Sequence, residues 1–361
     1  MLESMSSLQL SLAAIGALTV GGVVVYNYWS SRKNAPRQAD PHRDLMPESV
    51  SHGIEPVLDV DAAVLGQSDQ AREPVFKDTF TNLNQPDRKT QLDALIDVLA
   101  AIEVDQPVSG DAALAALPTT RRVGTKLFSV EGFVQDSGQW EALAPGRRYN
   151  AFQAGVQLAN RVGALNNIEF SEFVVKTQAF ADAVGASVSF SDMLEEVARA
   201  RELDQFASVH DAQLSFTLCA RSAAWSPGYI HQHAARLGFV PGAIPGRMVL
   251  PAAVQGLPAV ISLTFDTHAA MAEDPELSAI RSFVLSLDVP QTAREEQPYV
   301  RLREAAVALA AQMDGVVTDG EGQVLGDATL DQIGLDLQQL YDALDARELS
   351  AGSPQARRLF S

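Results

Sequence analysis

Histidine and cysteine, the side chains that most often bind metals or act as nucleophiles, are few in this sequence and poorly spaced for either task. The histidines are His42, His52, His210, His231, His233 and His268. His231 and His233 are the closest pair, but helical residues two apart point to different faces, so they do not form a zinc site. The HExxH and GxSxG motifs of metalloproteases and serine hydrolases are missing from the sequence.

The remaining candidate motifs also favour structure over chemistry. Cys219 is the only cysteine, which excludes an intramolecular disulfide, and its place inside a predicted strand indicates a buried structural thiol. The run GEGQVLG (320–326) has the glycine spacing GxGxxxG, which is more typical of a hairpin than of a dinucleotide-binding loop. The carboxylates mostly lie on predicted helices as solvated charges. We therefore predict no catalytic residue, no cofactor and no metal, and a protein that is not an enzyme.

The composition limits the class of protein. The 361 residues leave room for an anchor, a linker and one or two domains, and a hydrophobic content of 47% is enough for a packed core. The formal net charge of −18 argues against nucleic-acid binding, which needs a basic face.

Residues 8–29, from Leu8 to Trp29, predict a membrane anchor. These 22 residues contain no Asp, Glu, Lys, Arg or His, and a helix of this length matches the roughly 30 Å hydrocarbon core of a bilayer. Basic residues follow the stretch, whereas only Glu3 precedes it. By the positive-inside rule we expect a single-pass protein with its N-terminus outside and residues 30–361 in the cytoplasm. The alternative is a cleaved signal peptide, which needs a basic start and a shorter apolar core.

Residues 30–87 are rich in Pro, Asp, Gln, Ser and Arg and predict a flexible linker with a reach on the order of 40 Å. A docking peptide at DVDAAVL (59–65) is the alternative for part of this stretch. Beyond the linker we predict a first α+β module at 88–210, an α+β domain at 211–346 and a frayed tail at 347–361.

Apolar periodicity predicts the elements of the folded part. Alternating patterns predict strands at 126–134, 149–160, 212–220, 259–266 and 282–289. Helical patterns fall at 109–117, 169–184, 190–207, 226–239, 299–313 and 329–346, with Ser109 and Ser191 as N-caps, and a hairpin at 316–326. The segment 92–104 fits a helix or a strand. The predicted fold is α+β, an antiparallel sheet with helices on one face, and the similar rhythm of 92–207 and 212–346 suggests two degenerate copies of one unit.

Five segments of the C-terminal third resemble, in their order and spacing, the ZipA family of bacterial cell-division proteins. They are DAQLSFTLCA (211–220), LGFVPGAIPG (237–246), PAVISLTFD (258–266), EDPELSAIRSFVLSLDVP (273–290) and MDGVVTDGEGQVLGDATLDQI (313–333). The anchor and the linker add to the resemblance, while residues 88–210 have no equivalent in the family. The resemblance implies an antiparallel sheet whose open face binds the C-terminal tail of the tubulin-like division protein FtsZ. It also implies a bacterial inner-membrane location and a role in septum assembly.

The implied partner-binding site is the open sheet face. Strand alternation and the preceding loop place nine residues there: Gln213, Ser215, Thr217, Ile244, Val260, Ser262, Thr264, Val284 and Ser286. In the family this face is apolar, whereas here it is mostly polar. Either residues 88–210 share or cover the face, or the tail binds through more polar contacts. Arg236, Arg247 and Arg281 are candidate partners for an acidic tail.

Two classes of function therefore stay open. The first is a non-enzymatic membrane adaptor of the divisome, whose partners are the FtsZ tail and, through Leu8–Trp29, the lipid bilayer. The second is a membrane-anchored enzyme or ligand-sensing module with a site between the two α+β halves.

Overall fold

The computed structural model describes residues 36–39, 92–134 and 137–361. The predicted anchor at 8–29 and the predicted docking peptide at 59–65 lie outside these residues. Among the residues that are described, no helix combines the length and the apolar character needed to cross a bilayer.

The described chain is α+β and contains two antiparallel six-stranded sheets. Residues 92–210, here called the first module, contain β1 (Asp97–Ser109), α1 (Gly110–Ala116), β2 (Arg122–Val123), β3 (Lys126–Val134), β4 (Gln139–Ala142), β5 (Arg148–Gln157), β6 (Ala159–Asn160), β7 (Gly163–Ala164), α2 (Asn167–Val184), β8 (Ala186–Ser189) and α3 (Met193–His210). Residues 211–346, the second module, contain β9 (Gln213–Ala220), α4 (Pro227–Ala235), β10 (Val240–Pro241), β11 (Arg247–Leu250), β12 (Ile261–Thr264), α5 (Thr267–Ala270), β13 (Ser282–Asp288), α6 (Pro298–Met313), β14 (Gly315–Thr318) and α7 (Asp327–Asp345). Helix α8 (Pro354–Leu359) follows.

The first sheet has the strand order β2-β3-β5-β1-β8, with β4 paired to β3. Val98, Ala100 and Ile102 of β1 are buried at every second position, and Ile102 lies opposite Phe152 of β5. This alternation is the period of a strand with one buried face. It resolves the ambiguous segment 92–104 as a strand that begins at Asp97.

Helix α2 covers the buried face of this sheet with aromatic side chains. The ring of Phe173 packs edge-on against that of Phe128, with 6.1 Å between the ring centroids. Phe180 packs against Phe152 in the same way, with 5.3 Å between the centroids. The side chain of Asn166 caps the helix by accepting hydrogen bonds from the first-turn N–H groups, in a complete capping box. The predicted helix at 169–184 is therefore confirmed, two residues longer at its start.

The N-cap of α3 is Asp192 and not the predicted Ser191. The Asp192 carboxylate accepts hydrogen bonds from the N–H groups of Leu194 and Glu195. A carboxylate at this position also interacts favourably with the positive end of the helix dipole. The prediction chose the wrong one of two adjacent residues that are both able to cap.

The second sheet has the strand order β10-β11-β12-β13-β9-β14. Phe216 and Leu218 of β9 are buried and lie opposite Leu285 and Phe283 of β13. Helix α6 packs over β9, β13 and β14 and covers the apolar side of the sheet. The side chains at the alternate positions of β9 and β13 therefore point away from α6.

The two sheets share one plan of strand connections. In each module the first strand (β1 or β9) lies beside the last strand of the same sheet before the long helix (β5 or β13). The strand that follows the long helix (β8 or β14) pairs with the other edge of the first strand. The second sheet differs by one additional strand between its far edge and β13.

The C-terminal residues connect the two modules. The guanidinium of Arg358 on α8 makes two bonds of 2.6 and 2.8 Å to Asp97, which is 0% exposed at the start of β1. Leu359 and Phe360 are buried, and the Phe360 carbonyl accepts a hydrogen bond from Gln291. The expected frayed tail is wrong, because contacts with both modules hold this segment in place.

A second ion-pair cluster joins the modules at Arg161. Its guanidinium binds Asp211 at 2.6 Å and Asp288 at 2.8 Å. Asp211 lies between α3 and β9, and Asp288 is the last residue of β13. The loop between β6 and β7 is therefore fastened to the second sheet. The hydrogen bonds to both carboxylates raise the pKa of Arg161.

We expect Arg358→Ala to lower the free energy of unfolding by about 3–5 kcal/mol, because it leaves a buried carboxylate without its cation. Burial raises the pKa of Asp97 despite the guanidinium, so Asp97→Asn, which removes the buried charge itself, is expected to cost less. Urea unfolding of the full chain, followed by tryptophan fluorescence, measures both. Arg357→Ala on the same helix is the matched control, and an equal loss in all three variants would contradict the assigned role of this pair.

Candidate functional site

The exposed face of the second sheet brings together seven of the nine predicted binding residues. In an antiparallel sheet, residues opposite each other on neighbouring strands point to the same side. One cross-strand row consists of Ser215, Ser286 and Ser262, and the next row of Thr217, Val284 and Thr264. Gln213 lies at the end of the face, opposite Asp288. We call this surface the β9–β13–β12 face.

The β9–β13–β12 face is polar but well organised. The hydroxyls of Ser262 and Ser286 hydrogen-bond to each other at 2.7 Å across β12 and β13. Gln213, Ser215 and Thr264 are exposed, whereas Thr217, Val284 and the two bonded serines are half-buried. Since a hydroxyl donates and accepts hydrogen bonds, these rows can pair with the backbone or side chains of a peptide.

Val260 does not belong to this face. It is 2% exposed and packs in the core, and its N–H donates to the Leu250 carbonyl at 2.9 Å. Strand β12 begins only at Ile261, so the alternation that placed Val260 outward was extended one residue too far. Ile244 is 54% exposed, but it lies in the turn between β10 and β11 and not on the sheet.

Of the three arginines proposed as charge partners, Arg247 is the one that extends a row of the face. It lies opposite Thr264 in the pairing of β11 with β12 and is exposed. Arg236 is exposed at the C-terminal end of α4, and Arg281 is exposed just before β13. A negative group on the face would therefore meet Arg247 first.

The corresponding face of the first sheet is covered in part by its own chain. The backbone N–H of Leu92 donates to the Glu131 carboxylate at 3.0 Å, and the Gln153 amide donates to its second oxygen at 2.8 Å. Leu92 packs directly over Gly155, where a Cβ would clash with the leucine. Glu131 is consequently buried although it lies on the outer side of the sheet. The first module contacts the β9–β13–β12 face at its end, where Arg161 binds Asp288.

The histidines and the cysteine form no metal site within the described part of the chain. His231 packs against Phe265, and burial lowers the pKa of His231, while His233 bonds to Gln312. The two rings thus lie on different sides of α4, as the spacing predicted. Cys219 is half-buried and lies opposite Ser282, so the expectation of a buried thiol is wrong.

The glycine-rich run after β14 forms the predicted hairpin turn. Gly322 has a φ of 84°, and Val324 pairs with Thr318. The Asp319 carboxylate accepts hydrogen bonds from the N–H groups of Glu321 and Gln323. This turn chemistry satisfies the loop by itself.

A groove between α6 and α7 is a second candidate surface, which the sequence patterns did not indicate. Its volume is about 1150 Å³, and Val300, Val307 and Leu335 on its walls are about half-exposed. Contiguous exposed apolar groups of this kind mark interaction sites. One sequence signal could have revealed the groove: α6 carries apolar residues on two faces. Val300 and Val307 lie opposite the buried row that contains Leu302 and Leu309.

Tyr341 on the groove wall has a buried hydroxyl without a hydrogen-bond partner among the described residues. The side chain is 6% exposed, and burial raises the pKa of Tyr341 to about 12. Its neighbour Tyr299 instead donates its hydroxyl proton to the Leu330 carbonyl. The guanidinium of Arg294 lies 5.4 Å from the centre of the Tyr341 ring.

No family model matches the chain, and no curated protein matches it.

We expect Tyr341→Phe to raise the free energy of unfolding by about 1 kcal/mol, since it removes an unpaired buried hydroxyl. Tyr299→Phe, which removes a bonded hydroxyl from the same groove, should lower it by a similar amount.

The dependence of the free energy of unfolding on alkaline pH gives an independent readout of the Tyr341 hydroxyl. The unfolded chain ionises this tyrosine near pH 10, but the folded chain holds its pKa at about 12. Its contribution to stability is therefore complete below about pH 10 and is lost as the pH rises towards 12. Tyr341→Phe should remove this part of the alkaline loss, and urea unfolding across that pH range measures it. An alkaline limb identical to that of the original chain would contradict the burial of the hydroxyl.

Proposed function

We propose that this chain is a non-enzymatic, membrane-anchored adaptor of bacterial cell division, which binds the C-terminal tail of FtsZ and tethers the division ring to the inner membrane. The proposal rests on the apolar stretch from Leu8 to Trp29 and on the resemblance of residues 211–346 to the ZipA family. The structural observation that carries it is the β9–β13–β12 face, whose residues are exposed or half-buried among the described residues. An antiparallel sheet with helices on one side and an accessible opposite side is a suitable support for an extended peptide.

The polar character of the face bears on how the tail binds. Two rows of hydroxyl groups, with Val284 at the centre of one row and Arg247 at its end, offer hydrogen bonds and one positive charge in place of an apolar patch. Of the two explanations for this polarity, we favour polar binding over coverage, because all seven residues of the face are exposed or half-buried among the described residues.

The mechanism is attachment at two points. The anchor confines the second module to the membrane plane, and the face holds one tail of an FtsZ polymer. Many copies along one polymer raise the overall attachment far above the affinity of a single contact, because each further binding event is intramolecular.

A duplication explains the presence of the first module. The common plan of strand connections supports a degenerate repeat of one α+β unit, with the edge strand β10 as an addition in the second copy. In this account the first copy lost part of its accessible face when the chain at Leu92 came to lie over Glu131 and Gly155. The second copy kept the binding role.

The alternative is a membrane-anchored, ligand-sensing module, and the groove between α6 and α7 favours it. The sequence analysis placed the site of such a module between the two α+β halves. The ion pairs of Arg161 and Arg358 and the buried side chain of Phe360 occupy that region. The groove within the second module offers a ligand apolar contact with the half-exposed side chains of Val300, Val307 and Leu335.

Binding of an FtsZ tail peptide to the full chain in nanodiscs tests the two surfaces separately. We expect Val284→Asp, which places a charge at the centre of the β9–β13–β12 face, to weaken binding by about 30-fold or more, as for a central interface residue. Val307→Asp in the groove should leave the affinity within about twofold, since charges away from an interface contribute little. Fluorescence anisotropy of a labelled peptide measures both.

Val175→Asp, at an exposed position of α2 in the first module, is the control for added charge. No binding by the original chain at high micromolar peptide would contradict the adaptor function. A loss caused by Val307→Asp and not by Val284→Asp would transfer the site to the groove.

A further inference from the structure

Residues 36–39 of the predicted linker contact the second module, although in sequence they lie well before residue 92, where the folded chain starts. The backbone N–H of Arg37 donates to the Ala224 carbonyl at 2.7 Å, and the Ser226 N–H donates to the Arg37 carbonyl at 2.9 Å. Arg37 thereby forms a parallel bridge with Trp225, whose other side pairs with Ile280. The linker residue adds to an existing edge in the manner of a very short strand.

The side chain of Arg37 binds the C-terminal end of α6. One guanidinium nitrogen donates to the Met313 carbonyl at 3.0 Å, and another donates to the Asp314 carboxylate at 2.9 Å. The last carbonyls of a helix lack partners within the helix and attract positive charge. The indole N–H of Trp225 donates to the same Met313 carbonyl at 2.9 Å, so the edge that pairs with Arg37 and the carbonyl that binds its guanidinium are held together.

A third contact extends the site along the linker. The Gln38 amide donates to the Glu276 carbonyl at 3.3 Å, and the Glu276 carboxylate accepts a hydrogen bond from the Ser226 hydroxyl at 2.7 Å. Backbone pairing, a forked cation and an amide therefore recognise consecutive parts of one extended segment. An arginine-bearing peptide fits this combination, since a lysine presents a single point charge instead of a fork.

We propose that the surface formed by Ala224, Trp225, Ser226, Met313 and Asp314 is a docking site for residues 36–39 of the same chain, and that this contact holds the second module close to the membrane. The first half rests on the contacts above, and the second half also rests on the proposed anchor at residues 8–29. A segment of the same chain is the occupant because its effective concentration is in the millimolar range, which a second copy in dilute solution does not reach.

The docked segment changes the distance that the linker permits. Arg37 follows Trp29 by only eight positions, and a fully extended chain spans about 28 Å over that interval. Leu92 follows Trp29 by 63 positions, which would otherwise permit a separation of up to about 220 Å. We call this contact a latch: when it is closed, the second module is held within the shorter distance of the proposed anchor.

Residue-resolved hydrogen exchange on the full chain in nanodiscs tests the latch. The Ser226 amide bonds to the linker, whereas the adjacent Trp225 amide bonds to Ile280 within the module. We expect Arg37→Ala to speed exchange at Ser226 by about tenfold or more, because charge-assisted hydrogen bonds are lost, and to leave Trp225 unchanged. Arg43→Ala removes the same charge from the same linker and should leave both amides as they are.

Unchanged exchange at Ser226 in Arg37→Ala, or an equal increase in Arg43→Ala, would overturn the docking site. Protection that depends on protein concentration would overturn it as well. That result would assign the segment to a second copy of the chain. Faster exchange at both Ser226 and Trp225 would also contradict it, since it would mean local unfolding of the module and not release of the linker.

Energy transfer from a dye on Cys219, the only cysteine, to labelled lipid headgroups tests the distance to the membrane separately. We expect Arg37→Ala to lower the transfer efficiency clearly, and Arg43→Ala to leave it unchanged. If exchange at Ser226 responds but transfer does not, the docking site stands and the proposed effect on membrane distance is wrong. If no transfer occurs in the original chain, the anchor fails and not the docking site.

Discussion

The covering of one apolar sheet face by helices in each module is the constraint that decides which surfaces are left to bind partners. Strand alternation directs Ala100 and Ile102 of β1, and Phe216 and Leu218 of β9, towards the helices. The opposite faces then have different fates. In the first module the chain at Leu92 covers part of that face, whereas in the second module the rows of hydroxyl groups are exposed or half-buried among the described residues. This difference supports the proposed division of roles between the two modules.

Polar contacts hold the remaining parts of the chain to the two sheets. Arg358 binds buried Asp97, Arg161 bridges the modules, and Arg37 binds the end of α6. Each arginine uses its fork to contact two acceptors, which fixes orientation as well as distance. In this acidic chain, three arginines thus lie where separate segments of the chain meet. The proposed partner surface lies on the same module as the docked residues 36–39, so in this proposal one folded unit sets both partner binding and membrane distance.

Local patterns in the sequence predicted elements well where one residue period dominates. The strand at 126–134 has the predicted bounds because its buried residues alternate, and Ser109 caps α1 as expected. The pattern failed where the outcome depends on distant contacts. Phe360 is buried only because the two modules meet there, although Ser353 followed by a proline was a local signal for a helix start. Val260 was misplaced because alternation does not reveal where a strand begins. The docking of Arg37 needs a helix end and a strand edge that are remote in sequence.

The central claim is that the β9–β13–β12 face of the second module binds the FtsZ tail. The most direct test is to map the backbone amide chemical shifts of the full chain during titration with an unlabelled tail peptide. The account predicts saturable shifts concentrated at Ser215, Thr217, Ser262 and Ser286, with α6, α7 and the first module nearly unchanged. Shifts confined to the groove between α6 and α7, or no shifts at saturating peptide, would contradict it.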